Sequence, residues 1–163
     1  MHAYQHQNAP LTLREGVAEY YRENPGLKRD DELSNATKEF FRCHDAIHVL
    51  YGCDTSLQHE AVVKLSSIFG TTGGLSVMEG YRLHDSVDIY RKLRPTDILS
   101  TMLASFVIVP RTIWRCSRQA KKWPWSDFEA HLDTPLAALR EEFGIKVAQT
   151  KERASAASPS ACT

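Results

Sequence analysis

The sequence predicts an all-α fold, a single-domain bundle of about six or seven helices with a metal site between two consecutive helices. Apolar residues recur at helical spacing through most of the chain, and the segments that carry them are punctuated by capping residues, glycines and prolines. Alternating β-branched runs bounded by hairpin turns are missing. A length of 163 residues fits one core, since single domains commonly run to about 100–200 residues. The domain is expected over residues 1–149, and the Ala- and Ser-rich stretch 150–163 is expected to be a disordered tail.

The first helix is expected over residues 11–23, with Leu13, Val17 and Tyr20 or Tyr21 on one packing face and Asn24-Pro25-Gly26 as its stop. A second starts near Ser34, carries Phe40, Phe41, Ile47 and Leu50, and ends at Gly52, where a residue without Cβ can turn the chain. Asp54-Thr55-Ser56 supplies caps for a third, which carries Ala61, Val62, Leu65 and Ile68 up to Gly70. After the Gly73-Gly74 break a fourth helix spans residues 76–93. Arg94-Pro95-Thr96-Asp97 then announces a fifth over residues 98–109, about twelve mostly apolar residues, short of the roughly 20 that cross a bilayer. Pro110 should kink or end it, and a basic helix over residues 111–122 follows. Ser126-Asp127-Phe128-Glu129 reads as a capping box, and Thr134-Pro135 as the cap and first-turn proline of a last helix closed by Gly144.

Composition narrows the function classes. Apolar residues make up 42% and charged residues 25%, the balance of an ordinary globular protein. Lys plus Arg and Asp plus Glu each total 20, so overall basicity gives nucleic-acid binding no support. Cys43, Cys53, Cys116 and Cys162 lack paired metal-finger spacing, and reduced thiols are expected. The first residues form neither an apolar signal segment nor an Arg-rich amphipathic one, so the cytoplasm is the expected location.

Chemistry concentrates in residues 44–48, His-Asp-Ala-Ile-His, and in Glu60, from which His48 is separated by eleven residues. On a helix His44 and His48 lie about 40° apart, and Asp45 widens the arc to about 100°, so three ligand-type side chains share one face. In one straight helix Glu60 would lie about 24 Å beyond His44 and about 160° around it. The break from Gly52 to Ser56 removes that objection, because a tight turn there returns the third helix antiparallel with Glu60 in its first turns. Two imidazoles and one or two carboxylates suit Zn, Fe(II), Co or Mn and leave a position open for substrate or water. Isolated histidines at this spacing are more often packing or surface residues. Asp45, the placed turn and the placed Glu60 favour ligation here, with Asp45 either a direct ligand or a partner behind one.

The stretch from Arg42-Cys43-His44-Asp45 to Glu60-Ala61 resembles the zinc motif of the ubiquinone-biosynthesis family founded by the fourth Coq protein of yeast, His-Asp-x-x-His, eleven residues, Glu. Pro135-Leu136-Ala-Ala-Leu139-Arg140-Glu-Glu-Phe-Gly144-Ile145 is similar to that family's closing helix, and together the likenesses cover most of residues 36–145 in order. The chain is shorter than typical members at the N-terminal helical region, and His59 stands where a glycine commonly precedes the glutamate. The resemblance implies one divalent metal, zinc by preference, held by His44, Asp45, His48 and Glu60. It also implies action on a polyprenylated hydroxybenzoate in coenzyme Q biosynthesis, with the ring C1 carboxylate replaced by a hydroxyl. Other enzymes of that pathway, and a second copy of the chain, are the protein partners it suggests. The alternatives are a non-catalytic lipid-binding organiser of a quinone-biosynthesis complex and a tailoring enzyme for another prenylated or aromatic substrate.

Residues 111–125 hold five basic side chains and no acid, and Arg111, Arg115, Arg118 and Lys122 fall within about 60° on a helical wheel. Flanked by Trp114, Trp123 and Trp125, this stripe is read as a peripheral contact with the inner membrane surface, against the blander reading of a solvated face over core tryptophans. His84-Asp85 is a surface pair or a proton carrier near the metal, and Cys53 a bystander. His2, His6, His59 and His131 lack partners at ligand spacing and receive no role. A di-iron bundle is excluded because no Glu has a His three residues later. An HD-type phosphohydrolase, which needs further separated His and Asp ligands, is the enzyme runner-up. Gly70-Thr-Thr-Gly73-Gly74 lacks the lysine of a P-loop.

Overall fold

Thr12 opens the first helix of the computed structural model, which describes residues 1–25, 27, 34–84 and 95–148. Six α-helices are defined among the described residues: α1 (Leu13–Glu23), α2 (Asn35–Tyr51), α3 (Leu57–Phe69), α4 (Val77–His84), α5 (Pro95–Ser117) and α6 (Leu136–Phe143). Short 3-10 turns lie at Ala3–Gln5, Gly74–Ser76 and Phe128–His131. The all-α bundle is therefore as predicted. The second half of the predicted fourth helix, Asp85 and the tail lie outside the described residues.

Capping chemistry sets the boundaries around the site. The Thr12 hydroxyl accepts from the Glu15 amide while the Glu15 carboxylate accepts from the Thr12 amide at 2.8 Å, a reciprocal cap. The helix starts later than expected because the carbonyl of Leu11 is taken by the amide of Leu136 at 2.8 Å. Ser34 and Ser56 cap α2 and α3 by accepting from Thr37 and His59 amides, as their positions predict. α2 ends at Gly52 in the left-handed conformation, φ 66°. The positive φ favours glycine, and the space is tight as well, since a Cβ there would lie 3.2 Å from the Gln5 carbonyl.

Four expectations are corrected. The helices expected before and after Pro110 are one, because α5 runs through that proline; Pro110 and Phe106, whose carbonyl loses its hydrogen bond, are both exposed, so water can serve that carbonyl. α5 stops at Ser117 rather than Lys122, because the chain leaves the helix to bury Trp123 completely, with its amide on the Gly70 carbonyl at 3.0 Å and its carbonyl accepting from Thr72 at 2.8 Å. Ser126 caps nothing: Phe128–His131 is a 3-10 turn with Asp127 before it, and the Glu129 carboxylate that a capping box needs pairs with Arg42. Thr134 does not cap α6, since its carbonyl accepts from Leu13 at 3.0 Å and Pro135 takes the cap position.

The core gathers Leu13, Tyr20, Ile47, Leu50, Val63, Leu136, Leu139 and Phe143. Arg140 is buried among them at 1% exposure. Its guanidinium donates to the carbonyls of Val49 at 2.8 Å and Leu50 at 2.9 Å, in the last turn of α2, and to those of Tyr4, His6 and Gln7. The Val49 carbonyl also accepts from the Gly52 amide at 3.2 Å, and both carbonyls lie at the negative end of the helix dipole, so a cation without a carboxylate is satisfied there. The contact fixes the end of α2 that carries His48.

Candidate metal centre

α2 and α3 meet at the Gly52–Ser56 turn, and the turn brings the predicted ligand residues together across it. One ligand atom each from His44, His48 and Glu60 lies within 4.8 Å of the others. His48 Nε2 is 3.2 Å from one Glu60 oxygen and His44 Nε2 is 3.6 Å from the other. His48 is fully buried and His44 nearly so, whereas the Glu60 side chain is 40% exposed. The open side of the group is therefore on α3.

Asp45 stands behind this group. Its Oδ2 accepts a 2.8 Å hydrogen bond from the Tyr21 hydroxyl of α1, and its Oδ1 lies 3.5 Å from His44 Nδ1. Such a carboxylate on the far nitrogen orients an imidazole so that Nε2 points at the centre. Tyr20 stacks on the His48 ring at 5.1 Å, and Phe40 stacks on the His44 ring at 6.1 Å. Tyr81 of α4 meets His44 edge-on at 5.6 Å and Phe40 at 5.1 Å. Gly80 makes that crossing possible: a Cβ there would lie 2.2 Å from the Phe40 ring.

The electrostatics follow from burial opposed by charge. Burial works against a charged His44, but hydrogen bonds and charge from Asp45 and Glu60 outweigh it and raise its pKa to about 9. Burial likewise works against an ionised Glu60, and the two histidines outweigh it, lowering that carboxyl to about 2. Burial, followed by the negative charge of Asp45 and Glu60, holds the Tyr20 phenol well above its ordinary range.

The donor set fits a divalent ion. Both ring nitrogens of His48 are buried without a hydrogen-bond partner, close as Glu60 is to Nε2, and Nδ1 of His44 has only the Asp45 carboxylate, at 3.5 Å. A buried polar atom left unpaired costs about 1–3 kcal/mol, and a cation between these side chains would take the lone pair of His48 Nε2 and draw in both Glu60 and His44 Nε2. Two imidazoles and a carboxylate are a ligand set of open transition-metal sites.

The remaining candidates from the sequence fall elsewhere, and several neighbours of the centre had no role assigned from sequence. Cys53 is fully buried, and burial, reinforced by Asp54 and Glu60, raises its thiol far above the reactive range, consistent with a bystander. His59 pairs with Asp54 at 2.8 Å. Tyr20, Tyr21, Phe40 and Tyr81 went unassigned because aromatic residues on helices read as core. For Tyr21 the available signal was its place on α1 beside Tyr20, with one ring buried and the other free to reach a polar partner.

The family model described as coenzyme Q (ubiquinone) biosynthesis protein Coq4 matches residues 14–149. No curated protein and no solved structure matches the chain significantly. The match takes in both helices of the His/His/Glu cluster, the Asp45–Tyr21 support and the Arg140 anchor. With a helical bundle and a candidate metal cluster between α2 and α3, this chain belongs to the Coq4 family of ubiquinone-biosynthesis proteins.

Proposed function

We propose that the chain is a metal-dependent enzyme of quinone-type biosynthesis that replaces the C1 carboxylate of a polyprenylated hydroxybenzoate by a hydroxyl. The observation that carries the reading is the convergence of His44, His48 and Glu60 around the buried, unpartnered Nε2 of His48. His44, Asp45, His48 and Glu60 are the functional residues in this proposal, three as ligands and Asp45 as the group that holds His44. Three protein ligands are the pattern of a catalytic rather than a structural zinc, which favours the enzyme over a lipid-binding organiser. A bound divalent ion, zinc by preference, supplies Lewis acidity for negative charge developing beside it. The protein's own part is to orient that ion through Asp45 and Tyr21 and to exclude water with Tyr20, Phe40 and Tyr81. Exchange of carboxylate for hydroxyl releases carbon dioxide and is a net oxidation, so molecular oxygen is the expected oxidant. Other enzymes of quinone biosynthesis are the partners that family membership suggests.

Product formation from a prenylated 4-hydroxybenzoate, compared between the wild type and Glu60→Gln, tests the activity. A loss of at least about 100-fold is expected, the scale on which removing a transition-state charge partner acts. Equal product from both proteins would overturn metal-centred chemistry.

A second reading, peripheral membrane attachment, is favoured by one surface. Leu103, Phe106 and Val107 of α5 are 63%, 80% and 63% exposed, and Trp114 is 59% exposed farther along the helix. Arg111 on α5 and Arg118 and Lys122 just beyond its end are exposed cations. Apolar side chains followed by cations suit an anionic lipid interface. The basic stripe itself is corrected: Arg118 and Lys122 lie beyond the end of α5, Arg115 donates to the Val147 carbonyl at 3.3 Å, and Trp123 is core. No helix among the described residues is long and apolar enough to cross a membrane.

A further inference from the structure

Along α3, the residues four and seven positions after Glu60 are Lys64 and Ser67. The three share one helix face within about 60°. Tyr81 of α4 meets this face, with the Lys64 ammonium 4.7 Å and the edge-on His44 ring 5.6 Å from its ring centroid. Ser67 has no exposed surface. The Ser67 and Tyr81 hydroxyls approach each other without reaching hydrogen-bond geometry, and neither has a partner among the described residues. Buried hydroxyls are ordinarily satisfied, so two left open beside a ligand cluster point to a molecule that completes them.

We propose that Lys64, Ser67 and Tyr81 form a subsite that anchors the carboxylate of an aromatic acid beside the His44, His48 and Glu60 centre. This rests on the metal-dependent reading above and extends it to how the substrate is oriented. Two hydroxyl donors and an ammonium match the oxygens of a carboxylate. Phe40 and Trp125, with ring centroids 5.8 Å apart, continue the aromatic wall from Tyr81 and suit a planar ring. Glu60 and Asp45 would repel an anion here on their own, so the anchor works together with the cation that Glu60 holds.

Calorimetric titration of the full chain, reconstituted with Zn, with 3-geranyl-4-hydroxybenzoate and with 2-geranylphenol separates the contribution of the carboxylate from that of ring and tail. Lys64→Met, Tyr81→Phe and Ser67→Ala are titrated alongside, with metal content and thermal midpoint measured for each. Wild type is expected to bind the acid at least about tenfold more tightly than the phenol, the scale of one or two charge-assisted hydrogen bonds. Each variant should lose most of that preference while keeping its metal and its affinity for the phenol. Tyr81→Phe and Ser67→Ala should not lower the thermal midpoint, because the hydroxyls removed hold no internal partner. Equal affinity of metal-loaded wild type for both probes, or an undiminished preference in metal-loaded variants, overturns the subsite. A wild-type chain that takes up no zinc overturns the metal reading instead, and the subsite falls with it.

Discussion

At the scale of single residues, His44 is the hinge between sequence and chemistry. Its position beside Asp45 and one turn from His48 was readable from spacing alone, because helical geometry puts residues four apart on one face. The support behind it was not, since the Tyr21 hydroxyl reaches Asp45 from another helix. A pKa raised from 6.5 to about 9 means that His44 in the metal-free chain carries a proton at neutral pH. That raised value contributes stability fully present below pH 6.5 and lost as pH rises through about 9. Glu60, lowered from 4.5 to about 2, contributes stability present above pH 4.5 and lost as pH falls through about 2. A divalent ion must displace the His44 proton, so metal affinity should climb about tenfold per pH unit between pH 6.5 and 9. Competition titrations with Co(II) across that range check it, and an affinity already flat above neutral pH would contradict the pairing of His44 with Asp45 and Glu60.

At the scale of elements, the turn between α2 and α3 was legible because each boundary has a local cause: Gly52 for the left-handed stop, Ser56 for the next cap. The region around α5 was less legible. A proline and a run of basic residues read as a break and a second helix, whereas the exposed side of α5 tolerates Pro110 and the burial of Trp123 ends the helix early. Those are tertiary effects, and local periodicity does not contain them. The same helix presents Leu103, Phe106 and Val107 to its surroundings. If this face meets lipid, the chain should float with anionic liposomes at low salt and be released by high salt, each nearby cation contributing about 1 kcal/mol. Phe106→Asp and Arg118→Glu together should abolish flotation; unchanged flotation would leave α5 facing solvent or another protein.

At the scale of the whole molecule, the fold presents one end of α2 to a centre completed by α3. Arg140 of α6 ties the last carbonyls of α2 to the segment of Tyr4, His6 and Gln7, and Tyr4 meets Tyr20, which stacks on His48. Burial of an arginine with only carbonyl partners gave no sequence signal beyond its place in the resemblance to the closing helix. On the proposed reading, this scaffold holds one divalent ion on His44, His48 and Glu60. Elemental analysis of the reconstituted full chain tests it most directly, with His48→Ala and Glu60→Gln measured in parallel. About one equivalent of a transition metal is expected in the wild type, with most of it lost in both variants. Less than about a few tenths of an equivalent in the wild type, or the same content in all three proteins, would contradict it.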